Sequence, residues 1–196
     1  MNLPNKLTVV RMVATPIFLL TMLSGFKWGI FLSLIIFILA SLTDMLDGKI
    51  ARKHGLVTDF GKFLDPLADK MLTTAAFIGF LVWKVCPGME WILFIILFRE
   101  FMVTSLRLVA VSSGKVIAAN MWGKVKTVLQ MSSIIATLWF YSLPDIMDLF
   151  GAVVPDSVAT AHSIVTTVLL WATAAITVVS GVIYIFENRE CISNIK

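Results

Sequence analysis

The sequence predicts an all-α membrane protein in which six helices cross the bilayer and the first begins with an amphipathic stretch. Of the 196 residues, 59% are hydrophobic and 14% are charged, and the mean hydropathy is +0.94. Soluble domains carry about 25% charged residues, so this composition excludes one. The net charge of +4 suits anionic substrates or lipid headgroups, and we expect no nucleic-acid partner. No repeat or linker divides the chain, so we expect a single domain over residues 1–196.

The first predicted segment, residues 2–23, combines an apolar run with a polar side. Asn5, Thr8 and Arg11 recur at intervals of three residues, so they share one side of a helix. That side either lies along the membrane interface or faces the functional site. No cleavage pattern of a signal peptide follows, so we expect this segment to be retained.

The second and third segments are predicted to meet at a short basic turn. Residues 28–43 are uncharged, and a helix there must continue into the region of Asp44 to cross about 30 Å of hydrocarbon. Residues 49–59 are basic and contain Gly55, which indicates a turn. The third helix then starts at residue 59 or 60 and ends near residue 85.

The last three segments are expected at residues 90–111, 122–143 and 157–186. The fourth carries Arg99, Glu100 and Arg107, which are costly in lipid unless they face a polar cavity or one another. We interpret that cavity as functional. Neighbouring residues point about 100° apart on a helix, so we do not expect Arg99 to pair well with Glu100.

The distribution of basic residues predicts the orientation. Lys27 and Lys84 fall near the loops of one face, whereas the other fourteen Lys and Arg residues lie at or toward the opposite one. The positive-inside rule makes the second face cytoplasmic. In the cell membrane, both termini and the active site would therefore face the cytoplasm. The outer loop between the last two helices would contain Asp145, Asp148 and Asp156.

Four carboxylates cluster where the second and third segments meet. Asp44 and Asp47 are three residues apart and Asp65 and Asp69 are four apart, so each pair projects from one face of its helix. Four ionised acids beside a membrane must protonate, face water or bind cations. A set of oxygen ligands favours Mg²⁺ or Mn²⁺, and Mg²⁺ commonly keeps a place for substrate phosphate. A solvated acidic loop is the alternative interpretation.

These acids belong to a longer pattern, D-x2-D-G-x2-A-R-x8-G-x3-D-x3-D, which we name the signature. Its eight specified positions are Asp44, Asp47, Gly48, Ala51, Arg52, Gly61, Asp65 and Asp69. The pattern resembles that of the CDP-alcohol phosphatidyltransferases. The resemblance implies that family's fold, the transfer of a phosphatidyl group from a CDP-activated lipid, and a homodimer.

The resemblance also implies roles for the four acids. Asp44, Asp47 and Asp65 would hold one Mg²⁺ or Mn²⁺ ion, and Asp44, Asp65 and Asp69 a second one. Asp69 would also act as the general base. Two ions per active site would suit a diphosphate substrate, because such ions can clamp phosphate oxygens during an in-line displacement.

The other signature residues would bind CDP-diacylglycerol together with Asp47. Gly48, Ala51 and Gly61 are small enough to let a nucleotide approach, and tight helix packing is the alternative. The planar guanidinium of Arg52 can make bidentate contacts to phosphate. Anchoring at a cytoplasmic membrane surface is the alternative role for Arg52.

Four further stretches are similar to family members whose acceptor is sn-glycerol 3-phosphate. They are NLPNKLTVVRM, DPLADK, the Arg99-Glu100 pair and GKVKTVLQM. The phosphate of this acceptor requires cations outside the signature. The candidates are Arg99, Arg107, Lys124 and Lys126, with Thr8 and Arg11 as weaker ones.

Two alternatives to this function remain open from the sequence. One is the same chemistry with serine, inositol phosphate or phosphatidylglycerol as the acceptor. The other is a divalent-cation transporter, since intramembrane acids also bind metal in transporters. Such a transporter would need no nucleotide, and turnover of CDP-diacylglycerol would therefore separate the two classes.

Overall fold

A computed structural model of the chain describes residues 3–54, 59–112 and 120–189. Its described side chains leave out those of residues 3, 4, 45–54, 59–63, 65, 66, 69 and 112. Six helices occupy these ranges: α1 (Leu3–Leu23), α2 (Gly29–His54), α3 (Asp59–Trp83), α4 (Met89–Ser112), α5 (Met121–Leu149) and α6 (Asp156–Glu187). No strand occurs within them, so the all-α prediction is confirmed.

Helix α2 is longer than the sequence predicts. The predicted turn began at Lys49, whereas the helix continues to His54. The added stretch, KIARKH, contains good helix formers and neither glycine nor proline. The start of the predicted turn was therefore wrong, while Gly55 lies outside the described residues.

Helix α5 also passes its predicted end, because Pro144 lies inside it. A proline costs one backbone hydrogen bond but does not prevent the helix from resuming. The end comes at a Schellman cap, where the amides of Gly151 and Ala152 donate to the carbonyls of Asp148 and Met147. Gly151 supplies the left-handed backbone that this cap requires, with φ +66°. Asp148 is therefore helical, and its assignment to the outer loop was wrong.

The assignment of Asp145 to the outer loop was also wrong, since Asp145 lies within α5. Asp156 is the first residue of α6, so the connection between the two helices contains none of the three acids. Burial raises the pKa of the Asp145 carboxyl; nearby Lys27 opposes that shift, and Asp148 adds to it. These three acids are consequently carried by the ends of α5 and α6 instead of by a loop.

The chain divides into two compact units. Unit 1 comprises Met1–Trp83 with Ile134–His162, and unit 2 comprises Lys84–Ser133 with Ser163–Lys196. Helices α5 and α6 contribute one part to each unit. The single domain over residues 1–196 stays a prediction.

In unit 1, helix α1 packs against both α2 and α3. A hydrogen bond of 2.8 Å joins the hydroxyls of Thr21 and Ser33 across α1 and α2. Gly79 of α3 allows Met22 to approach closely, because a Cβ at Gly79 would lie 2.3 Å from the Met22 sulfur. Small residues and hydroxyl bonds are the usual means of packing helices in a membrane.

In unit 2, the hydroxyls of Ser133 and Thr173 join α5 to α6 at 2.8 Å. The connection before α4 is held by Trp171, whose ring nitrogen donates to the Pro87 carbonyl at 3.2 Å. Gly88 adopts a φ of +75°, and a Cβ there would lie 2.8 Å from the Trp171 ring. A glycine is therefore required at this turn.

Both units bury hydroxyl groups and expose large apolar side chains. The fully buried hydroxyl residues include Ser33, Ser133, Thr137, Thr173, Thr177 and Ser180. Leu20 is 70% exposed and Leu108 is 68% exposed. Exposed apolar side chains together with buried hydroxyl groups suit a lipid environment.

Within the described residues, two helices are long and apolar enough to cross a membrane. They are Asn5–Leu23 and Asp156–Glu187, while Gly29–Asp44 and Lys70–Val82 are shorter apolar stretches. Their length and composition agree with a membrane protein. The six-span topology and its orientation stay predictions.

Candidate active site

The signature occupies the end of α2 and the start of α3, both in unit 1. Helix α2 carries Asp44, Asp47, Gly48, Ala51 and Arg52, and helix α3 carries Gly61, Asp65 and Asp69. Each stretch is continuously helical, so the two acids of each pair are three or four positions apart on one helix, as the sequence predicts. Asp44 is the one signature acid whose side chain is described. Convergence of all four acids stays a prediction.

The Asp44 carboxylate is paired with Arg11 of α1. Arg11 Nη1 lies 2.5 Å from Asp44 Oδ1, and the two side chains are 1% and 45% exposed. Sequence reasoning proposed Arg11 as a weak contact for acceptor phosphate and missed this ion pair. The available signal was the polar side shared by Asn5, Thr8 and Arg11, all three of which are buried. The interfacial interpretation of that side is therefore wrong, because the side is buried within the protein.

The donor chemistry around Asp44 fits a hard divalent cation. Carboxylate oxygens are the ligands that Mg²⁺ and Mn²⁺ prefer. Two signature acids lie on α2 and two on α3. Among the described side chains, no three metal-ligating groups come together. That finding does not extend to Asp47, Asp65 and Asp69, whose side chains are outside the described set. The residue types fit a metal site.

In unit 2, two of the predicted acceptor cations meet at a single acid. Glu100 Oε1 accepts hydrogen bonds from Lys126 Nζ and, at 3.3 Å, from Arg99 Nη1. Arg99 Nη2 donates to Ser180 Oγ at 2.8 Å. We name Arg99, Glu100, Lys126 and Ser180 the Glu100 cluster. The expectation that Arg99 and Glu100 would not pair was wrong, because the long arginine side chain spans the angle between neighbours.

Small residues surround the Arg99 side chain. A Cβ at Gly181 would lie 3.3 Å from Arg99 Cγ, and one at Gly123 would lie 3.5 Å from Arg99 Nη2. Gly123 also donates its amide to Asn120 Oδ1 at 2.9 Å, which caps the start of α5. The side chain of Arg99 is only 12% exposed. These glycines make room for a largely buried guanidinium.

The other two predicted acceptor cations, Arg107 and Lys124, are exposed. Arg107 Nε donates to Tyr184 Oη at 3.3 Å, and its guanidinium carbon lies 5.8 Å from the Tyr184 ring centroid. Tyr184 is buried, with 1% exposure, so it offers Arg107 a fixed surface. Sequence reasoning missed Ser180 and Tyr184, since Ser180 is one of eight Ser and Thr residues in α6 and a single tyrosine in a long apolar helix gives no distinctive signal.

The weaker acceptor candidates, Thr8 and Arg11, belong to unit 1 and are buried there. Arg99, Arg107, Lys124 and Lys126 belong to unit 2. The structure thus brings Arg99 and Lys126 together at one acid and places Arg107 on Tyr184. The assignment of these residues to the acceptor phosphate stays a prediction.

Residues 1–179 match the CDP-alcohol phosphatidyltransferase family. The chain is 41% identical to the CDP-diacylglycerol–glycerol-3-phosphate 3-phosphatidyltransferase of Bacillus subtilis (strain 168), with 97% of each chain covered. It is 36% identical to the protein of the same name from Rickettsia bellii (strain RML369-C), with 93% of each covered. It is also 40% identical to the probable phosphatidylglycerophosphate synthase of Mycobacterium tuberculosis (strain ATCC 25618 / H37Rv), over 68% of this chain and 64% of that relative.

Proposed function

We propose a function from one premise: this chain belongs to the CDP-alcohol phosphatidyltransferase family. It is a transferase of phospholipid synthesis, and its apolar helices agree with a membrane location. We propose that it transfers the phosphatidyl group of CDP-diacylglycerol to sn-glycerol 3-phosphate, forming phosphatidylglycerophosphate and releasing CMP. The observation that carries this proposal is the complete signature on α2 and α3, in a chain similar over 97% of its length to a relative named for this reaction.

The proposed reaction exchanges one phosphorus–oxygen bond for another. A hydroxyl oxygen of glycerol 3-phosphate attacks the phosphatidyl phosphorus of CDP-diacylglycerol. The bridging bond of the diphosphate breaks, CMP leaves with its electron pair, and the hydroxyl proton passes to the Asp69 carboxylate. Because a carboxylate is a weak base for an alcohol, the proton must move as the new bond forms, and precise positioning supplies much of the rate.

The four signature acids would hold two Mg²⁺ or Mn²⁺ ions. Asp44, Asp47 and Asp65 would ligate one ion, and Asp44, Asp65 and Asp69 the other. When bound, the ions would neutralise charge on the leaving phosphate and orient the displacement. Asp44 and Asp65 each serve both ions, so they are the acids on which activity should depend most. The family is generally metal-dependent; the identity and number of the ions are part of the proposal.

The remaining signature residues would bind CDP-diacylglycerol. Arg52 would make bidentate contacts to its phosphates, since the guanidinium fork matches phosphate oxygens. Gly48, Ala51 and Gly61 would leave room for the nucleotide beside Asp47. The lipid tails would stay in the bilayer while the headgroup reacts, which explains why this chemistry uses membrane helices.

The acceptor phosphate would bind the cations of unit 2. Arg107 and Lys124 are exposed and therefore available to an anion. Arg99 and Lys126 are both held at Glu100, so two cations already lie close together in unit 2. Thr8 and Arg11 remain weaker candidates.

For the location and orientation in the cell, we propose the arrangement that the sequence predicts. We propose a multi-pass protein of the cell membrane whose active site and both termini face the cytoplasm. Cysteine probes at Gly55 and at the C-terminus should react from the cytoplasmic side, and probes near Asp148 from the outside. Labelling near Asp148 from the cytoplasm would contradict the topology. The homodimer implied by the family resemblance is to be tested by cross-linking in native membranes.

Purified protein in lipid nanodiscs tests the proposed function. We expect CMP release from CDP-diacylglycerol to require glycerol 3-phosphate and Mg²⁺ or Mn²⁺, and to stop in excess chelator. Serine, inositol phosphate and phosphatidylglycerol should give much less product in parallel reactions. If the protein uses one of these three better than glycerol 3-phosphate, the proposed acceptor is wrong. Divalent-cation flux into liposomes without CMP release would replace the enzyme with a transporter.

A further inference from the structure

The pair between Arg11 and Asp44 has an unequal distribution of burial. The Arg11 side chain is 1% exposed, whereas that of Asp44 is 45% exposed. A buried guanidinium is strongly unfavourable unless an acid or other acceptors compensate it. Surrounding atoms therefore restrict Arg11, while a half-exposed aspartate has room for several rotamers. The buried partner determines the position of the exposed one.

The position of Arg11 is itself determined by α1, which packs against the two helices that carry the signature. Thr15, one turn further along, is also buried, and its hydroxyl donates to the Arg11 carbonyl at 2.9 Å. The buried polar side of α1 therefore presents a fixed positive charge to the first acid of the signature.

We propose that Arg11 is the internal counter-ion of the signature. It holds the Asp44 carboxylate and stabilises the packing of α1 on α2 before a divalent ion binds, and its charge lowers the affinity for that ion. Arg11 is thus a positioning residue that acts through Asp44. The inference rests on the proposed function, because it takes Asp44 as a metal ligand.

The two effects have opposite signs, which separates a counter-ion from a packing residue. Without Arg11, the signature acids lose a compensating charge, so the metal-free protein should become less stable. A divalent ion would then meet less repulsion, because like charges a few ångströms apart interact appreciably even at an effective dielectric constant of about 20. Loss of packing alone would lower stability equally with and without metal.

The experiment uses the full chain in lipid nanodiscs with Mn²⁺ as the probe. Arg11→Gln removes the charge and keeps most of the length, whereas Arg11→Lys keeps the charge. Lys27→Gln is the matched control, since Lys27 forms an exposed ion pair with Asp148 in the same unit. Mn²⁺ affinity is measured by electron paramagnetic resonance, and the unfolding temperature is measured in chelator and in saturating Mn²⁺.

We expect Arg11→Gln to bind Mn²⁺ about three- to ten-fold more tightly. Its unfolding temperature in chelator should fall by about 3 °C or more, and saturating Mn²⁺ should recover most of that loss by linkage. Arg11→Lys should stay close to the unchanged protein. Any change in the unfolding temperature of Lys27→Gln should be the same in chelator and in saturating Mn²⁺.

An unchanged or weaker Mn²⁺ affinity in Arg11→Gln, with equal loss of stability in both conditions, would overturn the proposal. If Arg11→Gln fails to fold in chelator, the double variant Arg11→Gln/Asp44→Asn decides. A counter-ion role predicts that removing both charges restores folding, and continued failure would contradict it. A contact with acceptor phosphate would instead raise the KM for glycerol 3-phosphate in Arg11→Gln without tightening the binding of Mn²⁺.

The same preparations keep the two proposals apart. CMP release by the unchanged protein tests the proposed function. The Mn²⁺ measurements on the Arg11 variants test the counter-ion. If the unchanged protein releases CMP but Arg11→Gln binds Mn²⁺ as the unchanged protein does, only the counter-ion proposal is wrong. If the unchanged protein releases no CMP but the Arg11 variants show the expected Mn²⁺ binding, only the proposed reaction is wrong.

Discussion

The two units differ in the charged residues that the proposed function assigns to them. In unit 1, the buried Arg11 meets Asp44, the first of four signature acids on α2 and α3. In unit 2, Arg99 and Lys126 share Glu100. Unit 1 contains the four signature acids, whereas unit 2 contains the four main cations proposed for the acceptor. On this basis we propose a division of labour in which unit 1 binds the divalent metal and unit 2 binds the anionic acceptor.

The largest expected effect tests the acidic side of this comparison. Asp44→Asn or Asp65→Asn should lower CMP release by more than about 100-fold, because each removes a proposed ligand of both ions. Loss of a residue that only hydrogen-bonds to a metal ligand already costs up to about 100-fold in activity. Turnover at saturating Mg²⁺ is the measurement. Asp148→Asn is the control, since Asp148 is an exposed acid paired with Lys27. Near-normal activity with unchanged metal content in either signature variant would contradict the two-metal assignment.

The basic side is tested by the exposed cations of unit 2. Arg107→Ala or Lys124→Ala should weaken the use of glycerol 3-phosphate about ten- to a hundred-fold, because a charge-assisted phosphate contact is worth about 1.5–3 kcal/mol. The KM for CDP-diacylglycerol should change much less. Both constants are measured for each variant. Equal losses for the two substrates, or no loss for the acceptor, would place the acceptor phosphate elsewhere.

Glu100 offers a sharper test of the basic side, because it accepts hydrogen bonds from both Arg99 and Lys126. Glu100→Gln should lower the free energy of unfolding by about 1–3 kcal/mol, since Arg99 and Lys126 lose a charged acceptor. Inorganic phosphate should then stabilise the variant more than the unchanged protein. Denaturation with and without phosphate measures both effects. A variant as stable as the unchanged protein, with no added response to phosphate, would refute the view that Glu100 balances this cluster.

The smallest effect is expected at the exposed pair of Lys27 and Asp148, whose oxygen and nitrogen lie 2.6 Å apart. A hydrogen bond to Asp148, aided by its charge, raises the pKa of Lys27 above 10.5. Any stability from this pair is therefore fully present below pH 10.5 and is lost as the pH rises through the raised pKa. Solvent screens such a pair strongly, so Lys27→Met should leave the unfolding midpoint at pH 7 unchanged. A large shift at pH 7 would show that exposure is a poor guide to the strength of these pairs.

Much of the fold could be predicted because it depends on local signals. Apolar length, the position of glycines and the spacing of the signature predicted six helices close to the observed ones. Two helix ends were predicted too early. The predicted end of α5 at residue 143 lies just before Pro144, whereas Gly151 provides the cap, and the predicted turn at residues 49–59 begins with basic residues whose helix propensity extends α2.

The partners of the charged residues could not be predicted in the same way. Arg11 and Asp44 are 33 positions apart in the sequence, and Glu100 and Lys126 are 26 apart. Such contacts depend on helix packing, which one sequence does not encode as a periodic signal. The sequence predicted roles for the signature residues and for the cations outside the signature, whereas the pairing of Arg11 with Asp44 and of Lys126 with Glu100 is visible only in the tertiary structure.

The division of labour is tested most directly by equilibrium binding of Mn²⁺ and of glycerol 3-phosphate to the same nanodisc preparations. Asp44→Asn should lose Mn²⁺ affinity and keep most of its affinity for glycerol 3-phosphate measured without metal. Arg107→Ala should show the reverse, with normal Mn²⁺ binding and acceptor binding weakened about ten-fold or more. If both variants lose both ligands to the same extent, the two units do not divide the binding of metal and acceptor, and the account is contradicted.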